Sequence, residues 1–168
     1  KGVDVLLGPE MKSTGEVMGL DVNFGRAFAK SQIATGIYLP SKGNIFISVK
    51  DKDKPFIKII CKKLVKLGFK LVCTKGTGNF LKAEKINVSF VNKVIEGRPH
   101  IVDMIKNKNI ALIFNTTEGK QSISDSFSLR QAALHTNVPY YTTIAGCKSV
   151  LLALDNLNEN KLNIKSLQ

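Results

Sequence analysis

Apolar positions fall irregularly in the first forty residues and regularly after residue 44. Gly8-Pro9-Glu10 and Ser13-Thr14-Gly15 are turn material, with little apolar periodicity up to Asp21. One helix is expected in this first part, with Asn23 as N-cap, Phe24, Ala27, Phe28 and Ile33 on one face, and Gly36 as its stop. Leu39-Pro40-Ser41-Lys42-Gly43 reads as a linker by composition.

Beyond the linker, runs rich in β-branched or aromatic residues recur at Asn44–Val49, Phe69–Cys73, Val88–Val91, Ile110–Phe114 and Val138–Tyr141. Helical patterns lie between them. Asp53 is expected to cap a helix with Pro55 in its first turn, Phe56, Ile59, Ile60, Leu64 and Leu67 inward, and Gly68 at its end. Pro99 opens another, with Ile101, Met104 and Ile105 inward; Ser124 caps a third through Phe127, Leu129 and Leu134, with Asp125 expected to cap it too and a ligand contact as its other reading; Ile144 to Leu157 forms the last. Strands alternating with helices specify a Rossmann-like α/β fold, a parallel five-stranded sheet with helices on both faces. Strand order is not readable from the pattern.

Composition narrows the class. A chain of 168 residues with 43% hydrophobic and 23% charged residues is enough for one fully cored domain, or for one domain plus an appendage. The apolar runs are far short of the roughly 20 residues of a membrane span, and the N-terminus carries no signal-peptide pattern. The formal net charge of +12 comes mostly from Lys spread over helix faces and turns; the three arginines, Arg26, Arg98 and Arg130, are isolated. Without an Arg cluster or aromatic stacking motif, nucleic acid is not the expected partner. Cys61, Cys73 and Cys147 sit in apolar stretches without a Cys-x-x-Cys pair, so buried free thiols in a cytoplasmic protein are expected.

In an open parallel sheet, ligands bind beyond the carboxyl ends of the strands. Here the exits read Ser48 followed by Lys50 to Lys54, Thr74-Lys75-Gly76-Thr77-Gly78, Asn92-Lys93, Asn115-Thr116-Thr117, and Thr142-Thr143. None offers a carboxylate within its first two residues. Glycines at 76 and 78 would let backbone N–H groups approach an anion, and the next helix N-terminus adds partial positive charge. Thr74, Thr77, Thr116 and Thr117 bring hydroxyls, and Lys54 and Lys93 full charge. Several charge-assisted contacts of ~1.5–3 kcal/mol each would hold a phosphate monoester at micromolar concentration. Tight βα turns also favour Gly and Thr, which accounts for any one exit but less well for all of them. No Gly-x-Gly-x-x-Gly or Walker motif is present, and no metal-ligand spacing. His100 is expected to serve the start of its helix, with a general acid as the other reading, and His135 to complement a helix end.

Two longer motifs add a resemblance. Gly8-Pro9-Glu10-Met11-Lys12-Ser13-Thr14-Gly15-Glu16-Val17-Met18-Gly19 resembles the end of the second ATP-grasp unit of carbamoyl phosphate synthetase large chains. Val91-Asn92-Lys93-Val94-Ile95-Glu96-Gly97-Arg98-Pro99-His100-Ile101 and Ile113-Phe114-Asn115-Thr116-Thr117 resemble the C-terminal allosteric domain of that family, which has the methylglyoxal-synthase-like fold. The resemblance implies that residues 1–40 are the tail of an ATP-grasp domain with a linker, as the absence of an initiating Met also suggests, and that residues 41–168 are the allosteric domain. It implies a parent enzyme making carbamoyl phosphate from bicarbonate, glutamine-derived ammonia and two ATP, for pyrimidine and arginine biosynthesis. A small glutaminase subunit would be the partner, and ATP with Mg or Mn would be bound outside this segment, which would itself hold no cofactor and no catalytic residue. It implies an effector such as UMP or IMP, its phosphate held by Lys54, Thr74, Thr77, Lys93, Asn115 and Thr117 with Ser48, Gly76 and Thr116 close by. Ornithine would contact Tyr140 and Thr142, and the domain could make homo-oligomer contacts. Lys75 stands where bacterial relatives are expected to carry His, and Cys147-Lys148 replaces a small-residue stretch. The alternative is a stand-alone methylglyoxal-synthase-like lyase, which needs an acidic base where this chain has Glu96-Gly97-Arg98; a purine cyclohydrolase relative is disfavoured by the ATP-grasp tail.

Overall fold

The computed structural model describes residues 17–117 and 126–159. In chain order the elements are α1 (Phe24–Ala34), β1 (Asn44–Ser48), α2 (Lys54–Lys66), β2 (Lys70–Cys73), α3 (Lys75–Ala83), β3 (Ser89–Phe90), α4 (Ile101–Lys106), β4 (Leu112–Asn115), α5 (Phe127–His135), β5 (Tyr140–Tyr141) and α6 (Ile144–Glu159). The five strands form one parallel sheet in the order β3-β2-β1-β4-β5. Ile45 pairs with Leu71 on one side and Leu112 on the other, which puts β1 at the centre.

The two faces follow from the alternation of side chains along each strand. Ile45 and Ile47, Leu71 and Cys73, Leu112 and Phe114 point into one cluster, closed by Ile57, Ile60, Cys61 and Leu64 of α2, Leu81 of α3, and Cys147, Val150, Leu151 and Leu154 of α6. Phe46, Val72 and Ile113 point into the other, closed by Ile101, Val102 and Ile105 of α4 and Leu129, Ala132 and Ala133 of α5. Both faces of β1 are therefore dry, which is why its sequence is continuously apolar and not alternating.

Helix limits follow the punctuation. Asn23 Oδ1 accepts from Arg26 N at 2.9 Å, and Gly36 and Gly68 leave α1 and α2 at φ +79° and +88°. The inward faces differ from the expectation. In α1 the buried positions are Gly25 and Ala29, whereas Phe24 and Ile33 are exposed. A Cβ on Gly25 would lie 2.5 Å from the Leu152 carbonyl oxygen, so small residues face α6 because the two backbones nearly touch. In α2, Ile57, Ile60, Cys61 and Leu64 are buried, while Phe56 and Ile59 are exposed. Apolar residues surround that helix, and the adjacent phase supplies a tighter stripe to the sheet. Asp53 occupies the N-cap position of α2 without a side-chain cap hydrogen bond; the chain enters through a 3₁₀ turn, Asp51–Asp53.

Helix α3 begins at Lys75, so both glycines expected in a strand-exit turn lie within a helical first turn. In α4, Ile101 and Ile105 are buried and Met104 is half-buried against them, with His100 at the N-cap after a cis Arg98–Pro99 peptide. The proposed caps Ser124 and Asp125 lie outside the described residues; Ser126 precedes α5, where Leu129 is buried and Phe127 and Leu134 are exposed. No described helix is long and apolar enough to cross a membrane.

Candidate functional site

The carboxyl ends of β1, β2 and β4 open into a cavity of about 580 Å³. Parallel pairing puts Ser48 beside Asn115 and Ile47 beside Cys73, so the residues that follow these strands emerge at one level. Ser48, Lys54, Thr74, Gly76, Thr77, Lys93, Asn115, Thr116 and Thr117 all line this one space. Tyr140 and Thr142 do not line it, although the Tyr140 hydroxyl accepts from Asn115 Nδ2. Thr142 is exposed.

The floor is held by side chains bonding to neighbouring strand exits. Ser48 Oγ and Thr74 Oγ1 share a hydrogen bond of 3.1 Å. Thr77 Oγ1 accepts from Val49 N at 3.0 Å and lies 3.4 Å from Val49 O; Thr116 Oγ1 accepts from Lys50 N at 3.2 Å. Asn115 Nδ2 also donates to Ser126 Oγ at 3.1 Å. Thr74, Thr77, Asn115 and Thr116 are each at most 5% exposed. These bonds tie the exit of β1 to those of β2 and β4 and fix rotamers that would otherwise be ordered only when a ligand arrives.

Charge enters at the rim. Lys54 Nζ lies 2.7 Å from Asp51 Oδ1 and 5.9 Å from the centre of the Phe80 ring. Hydrogen bonding to Lys54 holds the Asp51 carboxyl below its usual range. Lys93 lies at the start of a 3₁₀ turn, its N–H donating to Glu96 Oε2 at 2.8 Å, and it lines the same cavity. Gly76 has no atom within 4 Å of where a Cβ would be, so its backbone faces open space. Gly78 has another purpose. Its N–H is bonded to Thr74 O, and a Cβ there would lie 2.5 Å from the Phe90 ring, so the absent side chain makes room for β3.

Sequence reasoning missed the apolar wall of Phe46, Val94, Ile95, Ile101 and Leu129, and it missed Asp51. Val94-Ile95 directly after Lys93 was the available signal for the wall, and the three-residue spacing of Asp51 and Lys54 for the ion pair. His100 lies off the cavity, with Nδ1 3.2 Å and its backbone N–H 3.0 Å from Asp103 Oδ2, as a residue serving a helix start. The three thiols are free and buried in the first core cluster, where desolvation pushes Cys73 and Cys147 up to about 12 and Cys61 further. No group of three or more His, Cys, Asp or Glu among the described residues could hold a metal.

A family model described as the MGS-like domain matches residues 57–142, the stretch that carries most of this cavity. The chain belongs to the MGS-like domain family. As an MGS-like chain it is 51% identical over 167 residues to the carbamoyl phosphate synthase large chain of Mesorhizobium japonicum, covering 99% of itself and 14% of that protein. It is 52% identical over 167 residues to the large chain of Myxococcus xanthus, covering 15% of it. Against the carbamoyl phosphate synthase large chain, C-terminal section, of Aquifex aeolicus it is 50% identical over 171 residues, covering 32% of that protein. The motif resemblance to these large chains therefore holds over nearly the whole sequence, and the chain spans only a minor part of each relative. The crystal structure of methylglyoxal synthase from Elizabethkingia anophelis shares the fold, with a TM-score of 0.57 and 18% identity over 67% of this chain and 79% of that one.

Proposed function

We propose that this MGS-like chain is the effector-binding, regulatory part of a carbamoyl phosphate synthase large chain, and that its cavity takes the phosphate of a nucleoside monophosphate such as UMP or IMP. The observation that carries the reading is the convergence of eight polar residues and Gly76, from three strand exits and the Lys93 turn, on one cavity. Lysines 54 and 93 line it with buried hydroxyls and the Asn115 amide, and the apolar wall of the same cavity offers a surface for the nucleoside. Each charge-assisted bond contributes roughly 1.5–3 kcal/mol, and several give micromolar affinity after the cost of immobilising the ligand.

On this reading the parent enzyme makes carbamoyl phosphate from bicarbonate, glutamine-derived ammonia and two ATP in the cytoplasm, for pyrimidine and arginine biosynthesis. Residues 1–40 are then the tail of its ATP-grasp domain and a linker, ATP with Mg or Mn binds elsewhere in the large chain, and a small glutaminase subunit is the partner. The segment regulates and does not itself catalyse. Ornithine contact at Tyr140 and Thr142 belongs to the same reading, beside the cavity and not in it.

A second reading, a phosphate lyase, draws on the shared fold with methylglyoxal synthase. A base for carbon deprotonation must reach the substrate. Glu96 does not line the cavity and accepts from the Lys93 backbone, and Arg98 pairs with Asp103 at 3.6 Å. Calorimetric titration with a panel of mononucleotides is the direct test, with saturable micromolar binding of at least one expected. Heats that never saturate with any nucleotide would count against the effector reading, and release of methylglyoxal from dihydroxyacetone phosphate would favour the lyase.

A further inference from the structure

We propose that Asp51 is a resident competitor for Lys54, a carboxylate that occupies the ammonium while the cavity is empty and must be displaced by an incoming phosphate. The inference rests on the phosphate reading of the cavity and concerns what sets its affinity. Among the described residues lining the cavity, Asp51 is the one carboxylate, against four lysines in the same lining, Lys50, Lys52, Lys54 and Lys93. Its Oδ1 lies 2.7 Å from Lys54 Nζ, hydrogen-bond distance for a charged pair. The two partners differ in burial. The Lys54 side chain is 20% exposed and fixed over Phe80, whereas Asp51 is 92% exposed on a short 3₁₀ turn. An exposed carboxylate can swing into water at little cost; the lysine stays in place.

Both anions use the same donor, so phosphate must offset the pair it breaks. An exposed ion pair is worth little, and its loss translates into about a two- to fivefold change in affinity. Asp51 thereby raises the concentration at which the site fills and keeps Lys54 compensated when it is empty. It also distinguishes ligands by charge, since a dianionic phosphate offers more for the exchange than a singly charged carboxylate does.

The test is titration of orthophosphate against this chain by calorimetry, in the wild type and in Asp51→Asn, Asp155→Asn, Lys54→Ala and Asp51→Asn/Lys54→Ala variants. Asp155 is exposed on α6 and does not line the cavity, so its variant changes net charge equally without touching Lys54. Asp51→Asn is expected to tighten phosphate about two- to fivefold, Asp155→Asn to leave it unchanged, and the Asp51→Asn gain to vanish in the Lys54→Ala background. Equal affinity in wild type and Asp51→Asn, a gain matched by Asp155→Asn, a gain that persists without Lys54, or weaker binding in Asp51→Asn would each overturn the competitor role while leaving the phosphate cavity intact. Absence of phosphate and nucleotide binding in every form would overturn the cavity reading itself, and the inference with it.

Discussion

The two ends of the sheet are built from the same strands yet solve opposite problems. At the carboxyl end, half-buried Ser48 and buried Thr74, Asn115 and Thr116 cap the strands with polar groups bonded across strand exits around an open cavity. At the amino end, Leu39, Pro40, Leu67, Phe69, Leu154 and Leu157 meet around a cleft of only about 120 Å³. Parallel strand direction creates the asymmetry. Helices α2 and α3 start at the carboxyl end, so their free N–H groups and positive dipole ends gather there, whereas their carbonyl ends gather at the other. Polar chemistry at the first end works with that field, and apolar closure at the second stabilises the domain. Function and stability are therefore separable along the strand axis.

The largest test of that separation acts at the apolar end. Phe69 is 5% exposed and belongs to the core cluster that contains α2 and α6. Phe69→Ala is expected to cost about 3 kcal/mol or more in denaturant unfolding, through lost burial and the space left behind. Phosphate affinity of the folded fraction should be unchanged. A large affinity loss in a stably folded variant would break the comparison.

The converse change is Lys93→Ala. Lys93 lines the cavity and is exposed, so removing its side chain should leave the unfolding midpoint nearly fixed. Nucleotide or phosphate affinity should fall by roughly 1.5–3 kcal/mol, about ten- to 150-fold, by calorimetry. Thr77→Val tests the boundary between the ends. Its hydroxyl accepts the Val49 N–H and is 2% exposed, so the isosteric change leaves a buried donor unpaired. A stability loss of about 1–2 kcal/mol should accompany weaker binding, the expected mark of a residue that shapes the floor. Unchanged stability would show that the β1 exit holds its form without the Thr77 contact.

How much of this was legible in the sequence follows from what each feature depends on. The parallel α/β class was legible because strands dry on both faces must be continuously apolar, as Ile45-Phe46-Ile47 and Leu112-Ile113-Phe114 are. The cavity was legible because fold topology alone brings strand exits together, whatever their distance along the chain. The inward face of α2 was not, since Phe56, Ile57, Ile59 and Ile60 offer two adjacent phases and only the opposing sheet chooses between them. The start of α3 was masked by its glycines, which discourage a helix locally; Gly78 is tolerated because Phe90 fills the space beside it. Asp51 was missed because its meaning depends on where Lys54 points, a matter of tertiary geometry.

The smallest effect sharpens the comparison from a third location. Asp21 lies just ahead of α1, its Oδ1 3.0 Å from Arg26 Nε and its Oδ2 2.8 Å from Lys30 Nζ, with the side chain only 7% exposed. Hydrogen bonding by Lys30 first, then the Val22 N–H and Arg26, brings the carboxyl down to about 2 from 3.8. A carboxylate whose folded value is depressed contributes stability that is present above its unfolded value and lost as pH falls through the folded one. The contribution should therefore be intact above about pH 5 and fade toward pH 2. Asp51 and Asp103 are depressed as well, so wild type must be read against Asp21→Asn, in which those two remain. Thermal midpoints of the two proteins should differ at pH 6 and converge toward pH 2, while phosphate binding at pH 7 stays equal. If the midpoints differed by the same amount at both pH values, the Asp21 pair would be contributing by packing and not by charge. If phosphate binding changed, the segment ahead of α1 would be coupled to the carboxyl end of the sheet.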